Sequence, residues 1–308
     1  MTDTTITHEG LVVEFTTNIG MCDDFPALVD LGVQLFGISY IDSVVKKCWG
    51  PFSQRVARLA PEDFRKSLVV VDLPAIFHAS FATCGEDAIS DTLSRIQSID
   101  NELAKNSSLI LAMDSDTSNR KAMCPQYKSS RTAKPAEFRD VRKEAIANLT
   151  NHSFTIVSHD GWESDDVMAS AAFRTKLRKQ TCVLVTDDRD MLQCCGSGVT
   201  CYSPRTHEYR SEQWLEVHNG LKPKQIVDWL CMMGKDDVPS VPGIGDKIAA
   251  KLIGRLGGFW GIFDSLDALV EKKELTIKKA TAIREFARND YFLAREMHTL
   301  NRSLKVDW

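Results

Sequence analysis

TCVLVTDD (181–188) carries four apolar residues, Cys182 to Val185, straight into a threonine and two aspartates. A short run that is apolar at every position and closes on acids suits a strand buried on both faces of a parallel sheet. The same form recurs upstream in LVVVD (68–72), SLILAMD (108–114) and FTIVS (154–158). Helical-period segments at 86–105, 136–151 and 165–179 separate the runs. This alternation predicts an α/β fold with a mostly parallel central sheet flanked by helices. After about residue 210 the strand pattern stops, and the chain reads as helices punctuated by VPSVPGIG (238–245) and RLGG (255–258). Residues 1–66 read as an extension, with a strand expected at 11–16 and amphipathic stretches around 26–36 and 40–60. They carry no chemical motif, and the chain contains no internal repeat.

The composition sets outer limits. The chain has 308 residues, 43% hydrophobic and 26% charged, which excludes disorder as an overall description. No stretch approaches the length of apolar sequence that a membrane-spanning helix needs. The first ten residues, MTDTTITHEG, lack a basic start, an apolar core and arginine, so neither a signal nor a transit peptide is expected. Nine cysteines without a CxxC pair predict idle thiols in a reducing, cytoplasmic setting. The net charge of −4 argues against a nucleic-acid partner, but its distribution argues for one. Residues 120–143 hold eight Lys or Arg against two acids.

The acids gather at strand ends. Asp72 closes the first run and Asp114 the second. GWESDDV (161–167) follows the third with Glu163, Asp165 and Asp166, and TDDRD (186–190) follows the fourth with Asp187, Asp188 and Asp190. GKDDVP (234–239) adds Asp236 and Asp237. Any one of these is ordinarily a turn residue or a helix cap. Four successive strand ends converging on one sheet edge would instead repel one another unless cations sit between them. All-oxygen sites select hard cations such as Mg²⁺ or Mn²⁺. So many carboxylates exceed one octahedral shell, which points to two metals and to phosphodiester chemistry.

QYKSSR (126–131) sits in the basic segment. Lys128 and Arg131 are three apart, share a face if the segment is helical, and could clamp a phosphate above the metals. Tyr127 offers a ring for base stacking. VPGIGDKIAAKL (241–252) is an independent signal. Gly243-Ile244-Gly245 between helices forms a hairpin whose amides can meet a phosphate, with Lys247 and Lys251 following at i, i+4 spacing.

These segments, in this order, resemble the 5′-nuclease family: the N-terminal 5′→3′ exonuclease of bacterial DNA polymerase I, phage 5′-exonucleases and, more distantly, flap endonucleases. The resemblance covers about 67–308 and includes VVDLPAIFHASF, YKSSR, GWESDDVMAS, VTDDRDMLQ, MMGKDDVPSVPGIGDKIAAKL and AREMHTLNRSLKVDW. It implies a nuclease core over 67–210 with a basic helical arch at about 116–150. It also implies a helix–three-turn–helix (helix-hairpin-helix) DNA-binding region over 211–308, with its hairpin at about 239–252. In this reading Asp72, Asp114, Glu163 and Asp165 hold a first metal and Asp166 lies nearby. Asp188, Asp190 and Asp236 belong to a second metal, with Asp237 replacing a lost ligand. Lys128 and Arg131 act on the scissile phosphate. Arg120, Tyr127, Gly243, Gly245, Lys247 and Lys251 join them in binding DNA.

The implied cofactors are two Mg²⁺ or Mn²⁺ ions and K⁺ at the glycine hairpin. The implied partner is duplex DNA with a 5′ end, nick or flap, or an RNA–DNA hybrid, with no membrane, and a monomer is expected. With no polymerase sequence after residue 308, a stand-alone 5′→3′ exonuclease or flap endonuclease is expected. Two departures stand out. GKDDVP is shorter than the family's GDxxDN stretch, and Asp72-Leu73-Pro74 replaces Asp-Gly with no arginine to follow. They motivate the alternatives of a catalytically weak, structure-selective DNA-binding protein on the same fold, or a related RNase H-like or PIN-like nuclease. The latter does not account for the hairpin.

Overall fold

Strand β1 (Leu68–Asp72) lies inside a six-stranded sheet of order β3-β2-β1-β4-β5-β6, with β2 Ser108–Ala112, β3 Thr155–Val157, β4 Cys182–Val185, β5 Val199–Ser203 and β6 Glu208–Arg210. Five strands run parallel and β6 is antiparallel to β5. All five residues of β1 are buried, as a strand covered on both faces requires. The computed structural model describes residues 68–105 and 107–308. The elements expected at 11–16, 26–36 and 40–60 lie outside the described residues.

The helices cover the two sheet faces. On one side, α1 (Leu73–Cys84) and α2 (Ala88–Leu103) pack with α4 (Phe138–Asn151) over Val69, Val71 and Val183. On the other side, α5 (Ser164–Leu177) lies against β1, β2 and β4. Its residues Ser164, Asp166–Ala172 and Thr175 are buried, so it is a central helix enclosed nearly all round. Small side chains at Ala169, Ser170, Ala171 and Ala172 permit that close enclosure. A short helix, α3 (Asn119–Met123), precedes the basic turn.

The sequence reading found four strands and missed two. VTCYS (199–203) is fully buried but follows Gly-Ser-Gly, and EYR (208–210) is too short to show a period. It also missed α1, which begins at once because Asp72 caps it, its Oδ1 accepting from Ala75 N at 3.2 Å, with Pro74 in the first turn.

The C-terminal part is helical: α6 (Glu212–Asn219), α7 (Ile226–Met233), α8 (Asp246–Leu256), α9 (Phe259–Asp264), α10 (Leu266–Glu271), α11 (Ile277–Asn289) and α12 (Tyr291–His298). Its last residues return to the α/β core. Ser170 Oγ donates to Asn301 O and accepts from Leu304 N, and Arg174 donates to Val306 O. Among the described residues, no helix is long and apolar enough to cross a membrane, and seven cysteines are free thiols.

Candidate active site

The strand order reverses direction between β1 and β4, so a crevice is expected at their carboxyl ends. Asp72 ends β1 there. Thr186 Oγ1 donates to its Oδ2 at 2.9 Å, and Ser164 Oγ donates to its Oδ1 at 3.4 Å. Asp114, after β2, accepts from Ser164 N at 2.9 Å, which fastens the start of α5 to the sheet edge. Asp188, after β4, caps a 3₁₀ turn by accepting from Asp190 N at 2.9 Å. Four of the expected strand-end acids, Glu163, Asp165, Asp188 and Asp190, line one polar cleft with Lys128, Arg131, Asp236 and His298.

The electrostatics are those of crowded anions. Burial, then Asp114 and Asp188, pushes Asp72 up to about 6. Burial, then Asp188, Asp72 and Asp190, holds Asp165 well above the carboxylate range. Burial and Asp188 raise Asp190 to about 6. Asp188 goes the other way: despite burial, Lys235 keeps it below its ordinary value. Raised carboxylates are what a bound cation would relieve.

No group of three or more His, Cys, Asp or Glu side chains among the described residues is arranged to hold a metal ion in this conformation. The donor chemistry nevertheless fits hard cations. Asp190 Oδ1 is buried with the Lys235 ammonium 2.8 Å away, and the Glu163 carboxylate, placed by the capping turn of α5, is held by three donors that a metal would partly replace. Those donors are Lys128 Nζ at 2.8 Å, Tyr127 Oη at 2.9 Å and Arg120 at 3.4 Å.

A measurable pH effect follows. A carboxyl whose pKa is raised on folding binds its proton more tightly in the folded state, so its contribution to stability falls as pH rises from about 4 to about 6. For Asp72 this amounts to about 3 kcal/mol. His298, which burial lowers to about 4, acts oppositely over the same range. Asp72→Asn therefore isolates the effect. In EDTA, the Tm of Asp72→Asn minus that of the parent should increase between pH 4 and pH 7. A constant difference would mean that Asp72 is not the strained carboxyl.

Several assignments made from the sequence are corrected by position. Asp166 faces inward, fully buried. Arg120 grips it with both terminal nitrogens, and Asn301 N donates to its Oδ1 at 2.8 Å. Successive helical residues point about 100° apart, so Asp165 lines the cleft while Asp166 is turned to Arg120. Arg120, read as a DNA contact, is 6% exposed and also donates to Met297 O at 2.9 Å, so it ties α3 to the C-terminal segment. Tyr127, read as a stacking platform, is 6% exposed, its hydroxyl spent on Glu163 and its ring covered by Lys128 Nζ at 4.7 Å.

The KxxR segment is not helical. Residues 125–130 are turns, Lys128 has φ 56°, and the two cations meet at the cleft through that turn. Asp236 and Asp237 both take left-handed backbone, φ 56° and 61°. Asp236 Oδ1 pairs with Arg131 at 2.6 Å, its carbonyl accepts from Lys128 N at 2.9 Å, and Asp237 accepts from Ser130 N at 2.8 Å. Asp237 thus latches the basic turn and does not line the cleft as a ligand. Asp187 turns away to Ser203 and Arg210.

Two residues escaped the sequence reading. Lys235 places Nζ 2.6 Å from Asp188 Oδ1, 2.9 Å from its Oδ2 and 2.8 Å from Asp190 Oδ1. His298 is buried with Nε2 unpartnered at the cleft. The only signal for either was its place inside GKDDVP and AREMHTLNR. At the hairpin, Gly243 has φ 78°, which suits glycine, and Ile244 is buried beneath it. Gly245 caps α8, from which Lys247 and Lys251 project into solvent while Ala249 and Leu252 face inward.

The chain matches the family models of the 5'-3' exonuclease N-terminal resolvase-like domain over residues 69–220 and the 5'-3' exonuclease C-terminal SAM fold over 221–308. It is 34% identical over 155 residues to DNA polymerase I of Mycobacterium tuberculosis H37Rv, covering 47% of this chain but 17% of the polymerase. It is 23% identical over 259 residues to a 5'-3' exonuclease of Buchnera aphidicola subsp. Schizaphis graminum, covering 80% of this chain and 90% of that one. Among solved structures it shares the fold of T5 5'-exonuclease with bound zinc, at a TM-score of 0.61, 18% identity and coverage of 75% and 89%. It also shares the fold of the catalytic core of Rad2 with DNA substrate, at 0.54, 14% identity and coverage of 81% and 86%.

Proposed function

Because the chain belongs to the 5'-3' exonuclease family, we propose that it is a metal-dependent 5′→3′ exonuclease and 5′-flap endonuclease acting on DNA. The observation that carries this reading is the set of partly buried carboxylates at the β1/β4 crevice, Glu163, Asp165, Asp188 and Asp190, in one cleft with two cations, Lys128 and Arg131. Asp72, Asp114, Glu163 and Asp165 would hold one divalent cation, and Asp188 and Asp190 a second. Such ions, when bound, would make water a better nucleophile near neutral pH and offset charge on a leaving oxygen. Mg²⁺ suits an all-oxygen donor set.

The chain's own residues do the rest. Lys128, partly exposed and beside Glu163, and Arg131, 57% exposed and steered by Asp236, present positive charge where a phosphate enters the cleft. Both are tied to carboxylates here, so a phosphate must exchange with Glu163 and Asp236 for their donors. Away from the chemistry, the Gly243–Gly245 hairpin would meet duplex phosphate and hold K⁺, with Lys247 and Lys251 flanking the same strand.

Product mapping tests the substrate. Nicked duplex, 5′-flap duplex and RNA–DNA hybrid, incubated with Mg²⁺, should be cut from the 5′ side, the flap near its junction. Products from the 3′ side would contradict the assignment. Lys247→Ala and Lys251→Ala should each weaken duplex binding at any sequence and reduce the salt slope by about one unit. Unchanged slopes would remove α8 from the DNA interface.

A further inference from the structure

Lys235 occupies the ground on which the second carboxylate pair would meet a divalent ion. Its ammonium lies within 2.9 Å of three oxygens of Asp188 and Asp190. At Asp190 Oδ1 the ammonium stands 2.8 Å away.

The loop leaves the lysine little freedom. It follows Gly234 at φ 79°, where an added Cβ would come within 2.5 Å of Ser240 Oγ, so this turn is closed tightly on itself. The next two residues are tied to the basic turn, Asp236 to Arg131 at the cleft and Asp237 to Ser130 N. The segment expected to bring negative charge to the second site spends both acids on the basic turn and delivers a positive charge instead. The two aspartates carry −2, and Lys235 reduces that to −1. A divalent ion placed against the same oxygens would stand at contact distance from an ammonium, and hard-cation affinity depends on ligand charge and on free oxygens.

We infer that Lys235 is the resident cation of the Asp188–Asp190 pair, and that a divalent ion reaches this pair only by displacing its ammonium. The inference rests on the metal-dependent reading above. Two unequal ion sites follow: one filled first at the Asp72, Asp114, Glu163 and Asp165 group, and one held back by the lysine. The departure in GKDDVP is then a device that sets the second ion's affinity, and Lys235 acts as a positioning residue.

Titration of the intact chain with Mn²⁺ alone, followed by calorimetry and by loss of the free-ion paramagnetic resonance signal, tests this without cleavage as the readout. In Lys235→Met the second Mn²⁺ should bind at least about tenfold more tightly than in the parent, with the first changed by less than about twofold. Lys235→Arg should behave as the parent, and Asp190→Asn added to Lys235→Met should abolish the gain. Lys235→Gln, run beside Lys235→Met, preserves the comparison if one variant folds poorly. Equal second-ion affinity in parent and both neutral variants overturns the inference, as does the absence of a second ion in the variants. Failure of the first ion to bind, with no cleavage of a flap duplex by the parent, overturns the metal-dependent reading itself. One tight ion and active cleavage with no gain in the variants overturns only the role of Lys235.

Discussion

Asp165→Ala should reduce cleavage by at least about a thousandfold, roughly 4 kcal/mol in barrier, while leaving duplex binding intact or tighter. Asp165 lines the cleft at the start of α5, facing Asp188, Asp72 and Asp190. Its removal takes away an oxygen that would hold a divalent cation and also a repulsive charge in the path of phosphate. Binding and chemistry should therefore move in different directions. The variant should also melt no lower than the parent in EDTA, because a buried carboxyl crowded by like charges contributes nothing favourable to folding without a cation. A cleavage rate within about tenfold of the parent would show that Asp165 is a capping-turn residue only.

The adjacent aspartate should behave oppositely. Asp166→Ala leaves the Arg120 guanidinium buried and unpaired, and Arg120→Ala leaves Asp166 so. Breaking one side of a buried pair costs about 3–5 kcal/mol, or on the order of 10 °C in Tm for a chain of this size. The pair joins α3, α5 and the segment after α12, since Asp166 also accepts from Asn301 N and Arg120 donates to Met297 O. Replacing both partners with apolar residues, Arg120→Met with Asp166→Leu, should recover part of the loss. First-ion affinity in whatever fraction folds should match the parent. A stable Asp166→Ala protein with weakened Mn²⁺ binding would restore Asp166 to the metal shell.

The contrast between these two neighbours shows what a sequence can and cannot reveal. Acids after successive apolar runs indicate the sheet edge, and the switch between β1 and β4 brings them together as that pattern requires. The orientation of Asp165 against Asp166 depends on which side of α5 meets the core, and a helix buried all round carries no amphipathic stripe from which to read it. The same limit explains Arg120 and Tyr127. Their basic, aromatic setting resembled a nucleic-acid face, but the side chains are spent on Asp166 and Glu163, 46 and 36 residues away in sequence. Asp237 left its expected place, and Lys235 entered the site unannounced, because consecutive left-handed residues at 236 and 237 tie both acids to the basic turn. Backbone of that hand is rare outside glycine and cannot be read from two aspartates.

The central claim is that the carboxylate cleft cuts DNA only when a hard cation is bound. Single-turnover cleavage of a 5′-flap duplex, with Mg²⁺ titrated from an EDTA-treated sample, tests it most directly. The account predicts no cutting without metal, a rise beyond the concentration that fills the first site, and incision near the flap junction. Full cleavage in excess EDTA, or tight flap binding with no cleavage at any Mg²⁺ or Mn²⁺ concentration, would contradict it.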